Sequence, residues 1–211
     1  MSQRFEVEQW IAAPLPRVFA FFADPHNLPR IMPPSQGARL LTLNLVRPRF
    51  PAGETPPDAE RMAGVGTEII FKFRAIPHVP LYEKWTALIT DFSLNQSFRD
   101  TQKQGPFRRW AHTHSFEAKI VEGREGTLIR DVVEYEVGFG VIGTFLENVM
   151  FQRMVRSTFE YRKYVLEKIF QTEWRFAPAA RCVLNKLWST MLTRFFGPTG
   201  TVYNHVNRLT R

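Results

Sequence analysis

Between Trp85 and Phe116 the chain reads WTALITDFSLNQSFRDTQKQGPFRRWAHTHSF, and the alternation of its residue types sets out three consecutive antiparallel strands. Trp85, Ala87 and Ile89 hold one parity of the first strand, Phe98 and Asp100 of the second, and Trp110, His112, His114 and Phe116 of the third. Side chains two apart in a strand leave on the same face. One face of this meander is therefore aromatic, with three ionisable groups set into it. An ordinary core has no need of Asp100, His112 and His114 among aromatic rings, whereas a pocket for a small, mostly apolar ligand is built in that way. Gly105-Pro106 marks the turn between the last two strands.

Similar alternation recurs on either side. Phe5, Val7 and Ile11 oppose Glu6, Glu8 and Trp10, the pattern of a half-buried strand at an edge or seam of a sheet. Pro14 and Pro16 open a short helix carrying Val18, Phe19 and Phe22; Asp24-Pro25 ends it, and Pro29, Pro33 and Pro34 forbid a long helix after it. Further strands are expected near 38–47, 67–76 and 127–137. The stretch from Arg49 to Gly66 is rich in Pro, Gly and charge without periodicity, and is expected to be a mobile loop, a lid or an entrance. In the last strand Arg130 and Glu134 oppose Asp131, Val133 and Tyr135, and the sequence leaves open which set points inward.

From about Val141 the apolar period lengthens to that of a helix. Ile142, Phe145, Val149, Met150, Met154, Val155, Phe159, Val165, Leu166 and Ile169 form a broad stripe, with Glu147, Arg153, Arg156, Glu160, Arg162 and Lys163 placed outside it. Such a helix needs a sheet to lie on. Met150 and Met154 are expected on a pocket wall, where a thioether adapts to ligand shape, with Val149 beside them.

The pattern W-x3-I, F-x-D and G-P-F-x2-W-x-H-x-H-x-F within residues 85–116 resembles the START and polyketide cyclase/dehydrase-like (SRPBCC) superfamily. The flanks agree. I-x-A-P-x4-F-x-F-F-x-D (Ile11, Ala13, Pro14, Phe19, Phe21, Phe22, Asp24), followed by Asn27-Leu28-Pro29, is similar to the family's first strand and two short helices. D-x-V-x-Y (Asp131, Val133, Tyr135), then Gly138, Phe139 and Gly140, is similar to its last strand leading into a long helix. The resemblance covers roughly residues 4–170. It implies an α+β helix-grip fold: a curled antiparallel sheet of six or seven strands around one long C-terminal helix, with a cavity between them. It implies no cofactor and no metal. Because that fold hosts lipid carriers, cyclases, hydrolases and regulators alike, function has to be read from the site.

The candidate ligand-binding residues are Trp85, Phe98, Asp100, Trp110, His112, His114, Phe116, Tyr135, Val149 and Met150, with Asp100, His112 and His114 doubling as candidate catalytic groups. His112-Thr113-His114 also has the spacing of two metal ligands on one strand face, but nothing fixes a third ligand, for which Asp100 or Glu83 would have to serve. The expected role of the histidines is to orient a ligand's polar group or to move a proton in a dry pocket. No G-x-S-x-G elbow, P-loop, dinucleotide fingerprint or paired-His helix motif occurs, and Cys182 has no adjacent His, so covalent catalysis is not expected. Binding or carriage of a hydrophobic or amphipathic small molecule, lipid-like or polyketide-like, is the leading reading. A cyclase or dehydratase working by acid–base catalysis in the same cavity is the alternative, and a protein-interaction or regulatory module the third.

The net charge of +8 raises the question of nucleic acid, but its distribution speaks against that partner. Residues 171–211 hold six Lys and Arg with Glu173 alone acidic, while residues 1–170 are nearly balanced at 22 basic and 19 acidic, without a dense basic stripe or a reading motif. The chain is expected to divide into a ligand-binding domain, residues 1–170, and a basic amphipathic helical extension, residues 171–211. In the extension Pro178 opens a helix with Leu184, Leu187, Trp188, Met191, Leu192 and Phe195 on one face, ended by Gly197-Pro198. Residues 178–196 are expected to pack on the domain or to join two copies in a homodimer. Peripheral contact with an anionic membrane is the weaker reading, since Asn185, Ser189, Thr190 and Thr193 make the polar face more neutral than cationic. A single cysteine, no secretory pattern in the first thirty residues and no spanning apolar run make a cytoplasmic location the expectation.

Overall fold

Each alternating segment becomes a strand, and every strand pair is antiparallel. The computed structural model describes residues 2–50, 53, 55–74, 81–137 and 143–175, with side chains described for all of these except 137, 143–151 and 172–175. The side chains of Val149 and Met150 and the expected helix at 178–196 therefore lie outside the described residues. The chain falls into two compact units, residues 1–170 and 171–211. The strands of the first are β1 (Gln3–Ile11), β2 (Arg39–Asn44), β3 (Glu68–Arg74), β4 (Tyr82–Ser93), β5 (Ser97–Gln104), β6 (Phe107–Val121) and β7 (Arg124–Val137); its helices are α1 (Leu15–Ala23) and α2 (Gly143–Arg175). The strands form one seven-stranded sheet in the order β1-β7-β6-β5-β4-β3-β2, so β1 is an edge strand.

Prolines bound α1 at both ends. Pro16 sits in its first turn, where a missing N–H costs nothing, and Pro25 forces the preceding Asp24 into extended backbone at φ −90° and ψ 109°. The helix buries Val18, Phe19, Ala20 and Ala23 against the sheet. Phe19 has no exposed surface and meets Phe92, Phe98 and Phe116 at 5.5, 6.1 and 5.2 Å between ring centres. Truncating such a hub to alanine costs about 3–5 kcal/mol.

Two local devices fix the register of β6, β7 and β1. Glu122 and Gly123 both take positive φ (50° and 72°), closing the β6–β7 hairpin as a two-residue turn of the hand that matches strand twist. At Gly126 a Cβ would lie 2.4 Å from the carbonyl oxygen of Ile11 and 2.5 Å from the Trp10 indole, so only glycine lets β1 and Trp10 lie this close to β7. Trp10 Nε1 donates to the Lys119 carbonyl at 2.9 Å.

The stretch from Arg49 to Gly66 departs from its expected form as a wholly mobile loop. Its second half is anchored: Ala59–Arg61 makes a short 3-10 turn, Met62 and Ala63 are buried, and the N–H groups of Ala63 and Gly64 donate to the carbonyls of Ala23 and Val46 at 2.8 Å each. Two apolar residues at the end of a polar, aperiodic run are enough to seat it.

On α2 the buried residues are Val155, Phe159, Arg162, Leu166 and Phe170, one face at helical spacing. Phe159 packs on Phe5 of β1 at 5.2 Å, Phe170 on Phe21 of α1 at 5.4 Å, and Gln9 Nε2 donates to the Lys163 carbonyl at 2.9 Å. Arg162 thus corrects the expectation from the sequence, which puts it outside the apolar stripe; it occupies a core position of the inward face. Among the described residues no helix is long and apolar enough to cross a membrane.

Candidate functional site

The register of β5, β6 and β7 brings four ionisable residues together. Across β5 and β6, Asp100 stands opposite His112 and Phe98 opposite His114; across β6 and β7, His114 stands opposite Asp131. Directly opposed residues hold their Cβ atoms about 5 Å apart, so all four carboxyl and imidazole groups converge on the inward face. The parity left open in β7 is decided as well. Asp131, Val133 and Tyr135 are buried, while Arg130 and Glu134 point away and pair with Glu6 and Arg99.

Asp131 is the hub. Its Oδ1 lies 3.0 Å from His112 Nε2 and 2.6 Å from His114 Nδ1, and the two imidazole rings lie 3.9 Å apart. Burial alone would raise the pKa of Asp131, but the attraction of His114 and the close contacts with both imidazoles hold it well below the usual carboxylate range. An ionised carboxylate only accepts, so His112 Nε2 donates to it, while His114 Nδ1 is in ion-pair contact without hydrogen-bond alignment; His112 Nδ1 and His114 Nε2 are turned toward Asp100 Oδ2 at 3.7 and 3.9 Å. These separations are too long for hydrogen bonds and leave a polar corner with room for a ligand atom. Burial pushes the Asp100 pKa up, against the attraction of His112 and a hydrogen bond from Trp110; burial and the neighbouring His114 push His112 down. The site thus holds one acid displaced toward its neutral form beside a base displaced toward its neutral form.

Aromatic side chains wall the rest. A cavity of about 180 Å³ opens between the inward face of the sheet, α1 with its following turns, and α2. Trp85 packs edge-on to Trp110 at 4.8 Å and stacks on Phe71 at 5.8 Å; Phe98 lies 4.4 Å from the His114 ring, and Phe159 closes over His112 at 5.8 Å. Of the candidates named from the sequence, Trp85, Phe98, Asp100, Trp110, His112 and His114 all line this cavity. Phe116 and Tyr135 share their parity but do not line it. Phe116 is stacked behind Phe98 at 6.0 Å and packed on Phe19 and Phe22, and Tyr135 is buried in a cluster with Val133, Val155 and Phe159. Parity puts a residue on a face; it does not say which part of the face another helix covers.

Two residues of the site escape the sequence as participants. Asp131 stands out there only as part of the family pattern, with its direction open. Arg162, nine-tenths buried, lines the cavity and comes within 3.8 Å of Asp131. Met154, read from the sequence as suited to a pocket wall, lines the cavity. The signal for Arg162 is its place between Phe159 and Leu166, three and four residues away, on a face otherwise apolar.

Asp100, His112 and His114 offer three donor atoms within 4.8 Å of one another, the only such metal-capable set among the described residues. The closest N–O separations exceed the roughly 3.3 Å edge of a tetrahedral zinc set, and the nearby guanidinium of Arg162 opposes a second cation. Glu83 pairs with Phe73 in the β3–β4 ladder and does not line the cavity.

A seven-stranded antiparallel sheet carrying a long C-terminal helix and a cavity against its inward face defines the helix-grip class. The chain belongs to the polyketide cyclase/dehydrase and lipid transport family, whose model matches residues 11–159. No curated protein matches the chain in sequence. Among solved structures it is similar to a protein from Thermus thermophilus, at 18% identity and a TM-score of 0.54 over 81% of this chain and 99% of that one. It is also similar to major latex-like protein 151 of Panax ginseng, at 12% identity and a TM-score of 0.51 over 80% and 97% of the two chains. A third is a point mutant of norcoclaurine synthase from Thalictrum flavum, solved with a transition state analogue, at 13% identity and a TM-score of 0.51 over 82% and 96%. At these identities the likeness is one of fold. Membership of the family carries with it a pocket for a hydrophobic ligand.

Proposed function

We propose that this protein binds a small amphipathic molecule carrying one or two rings, its apolar part held by Trp85, Phe98 and Trp110 and its polar part by the Asp100, His112 and His114 corner. The observation that carries the reading is the cavity itself: aromatic walls with a polar corner in which the His112 and His114 nitrogens face Asp100 at 3.7 and 3.9 Å, beyond hydrogen-bond distance. A volume near 180 Å³ favours a compact polyketide-like or aromatic ligand over a long-chain lipid, since an apolar cavity of about 150 Å³ takes a single benzene. Burying the rings at roughly 25 cal/mol per Å² supplies micromolar affinity after ordering costs. Native mass spectrometry of the purified chain, followed by displacement of a fluorescent aromatic probe, tests this. Binding that weakens at least tenfold in Phe98→Ala and Trp110→Ala supports it, and binding unchanged in both variants ends it.

A second reading is acid–base catalysis in the same cavity. It rests on the opposed displacements of Asp100 and His112, which push an acid and a base side by side toward their neutral forms. In that case Asp100→Asn and His112→Gln abolish turnover even at substrate concentrations that saturate the variants. Residues 1–170 as the ligand-binding domain, 171–211 as a separate amphipathic extension and a cytoplasmic location complete the proposal.

A further inference from the structure

Arg162 lies on the inward face of α2 between Phe159 and Leu166, its guanidinium 4.6 Å from the centre of the Phe159 ring. Its side chain is 9% exposed and lines the cavity. The nearest carboxylate oxygen, Asp131 Oδ1, is 3.8 Å from Nη1, beyond hydrogen-bond distance, and that oxygen is already shared by His112 and His114. Nε and Nη1 find no acceptor among the described residues. A buried guanidinium with unanswered N–H groups is costly, because it has given up its hydration for nothing in return. An apolar residue at this helical position would avoid the cost, so the arrangement makes sense where something entering the cavity completes it. What completes it must be anionic and must accept, because guanidinium only donates. The unengaged nitrogens of the two imidazoles, His112 Nδ1 and His114 Nε2, are turned away from Asp131 toward Asp100 and the cavity.

We infer that Arg162 is a ligand-binding residue that selects a carboxylate, so that the molecule held here is a small ring-bearing carboxylic acid in its anionic form. This rests on the reading of the cavity as a small-molecule site and names the polar end of its ligand. The aromatic walls take the ring, and the guanidinium gives the carboxylate a charge-assisted hydrogen bond, which is stronger than a neutral one and has no counterpart for an alcohol of the same shape.

Matched pairs of probes test it by calorimetry on the full chain near neutral pH: benzoic acid with benzyl alcohol, 3-phenylpropionic acid with 3-phenylpropan-1-ol, and 2-naphthoic acid with 2-naphthalenemethanol. In at least one pair the acid is expected to bind tenfold or more tightly than the alcohol. In Arg162→Gln that ratio falls to near one while the alcohol's own affinity holds, and Arg162→Lys retains part of the preference. Equal binding of acid and alcohol to the native chain overturns the inference and leaves the cavity reading standing, as does a preference that survives Arg162→Gln. Failure of all six probes to bind overturns both. If Arg162→Gln does not fold, judged by circular dichroism, the native ratio and the Arg162→Lys variant decide.

Discussion

Arg130 and Asp131 are neighbours in β7, and both make ion pairs, yet they live in different solvents. Arg130 points outward, where its Nε donates to Glu6 at 2.6 Å on a surface that also carries Arg99 with Glu134 and Lys103 with Glu68. Asp131 points inward, where one oxygen serves two imidazoles and stands 3.8 Å from Arg162. On the outer face water screens every pair and replaces any partner that is removed, so such pairs contribute little. On the inner face each charge has given up its hydration and depends on its neighbours, so the cluster's net contribution to stability is small or negative even though breaking it is costly. The proposed ligand gives so expensive a cluster a reason to stand beside a cavity.

The largest effect expected from breaking this contrast comes from adding a charge to the inner face without a partner. Phe159→Asp should leave the domain unfolded, since burying an unpaired carboxylate costs several kcal/mol; a cooperative melt near that of the parent chain would show that α2 does not pack as described. Removing the hub is next. Asp131→Ala strands Arg162 and two imidazoles, and a loss of about 3–5 kcal/mol, or roughly 10 °C in Tm, is expected by calorimetry.

Acid sharpens the comparison further. Burial, with His114, displaces the His112 pKa downward from 6.5, so between that value and its folded value the unfolded chain binds a proton that the folded chain refuses. Stability is therefore lost as pH falls below about 6.5, and His112→Gln should abolish that part of the slope. Equal pH dependence of the two proteins between pH 7 and pH 5 would count against a desolvated His112. The smallest effect is reserved for the outer face: Arg130→Ala should melt indistinguishably from the parent.

The same contrast explains what can be read without coordinates. The strands, the aromatic parity of Trp85, Phe98 and Trp110, and the convergence of Asp100, His112 and His114 are legible because alternation with a period of two is strong in β4, β5 and β6. The direction of β7 is not, since Arg130 and Asp131 are equally polar and the sequence does not weigh a solvated charge against a paired one. Arg162 is misplaced for a related reason. A helical wheel sorts arginine to the outside by its average behaviour, and only its burial and the approach of Asp131 from β7 reveal it as a group inside the wall. The burial of Met62 and Ala63 escapes notice because two residues are too few to set a period.

The hairpin meander has a consequence for how the site comes into being. Asp100, His112, His114 and Asp131 sit on three successive strands joined by tight turns, so their mutual contacts span short stretches of chain and close early by the cost of loop closure. Arg162 arrives only when α2 docks. The topology therefore leads one to expect a wet carboxylate–imidazole floor that forms before its roof, since the docking of α2 both shuts out water and brings in the guanidinium. Closing the chamber and charging it are one event.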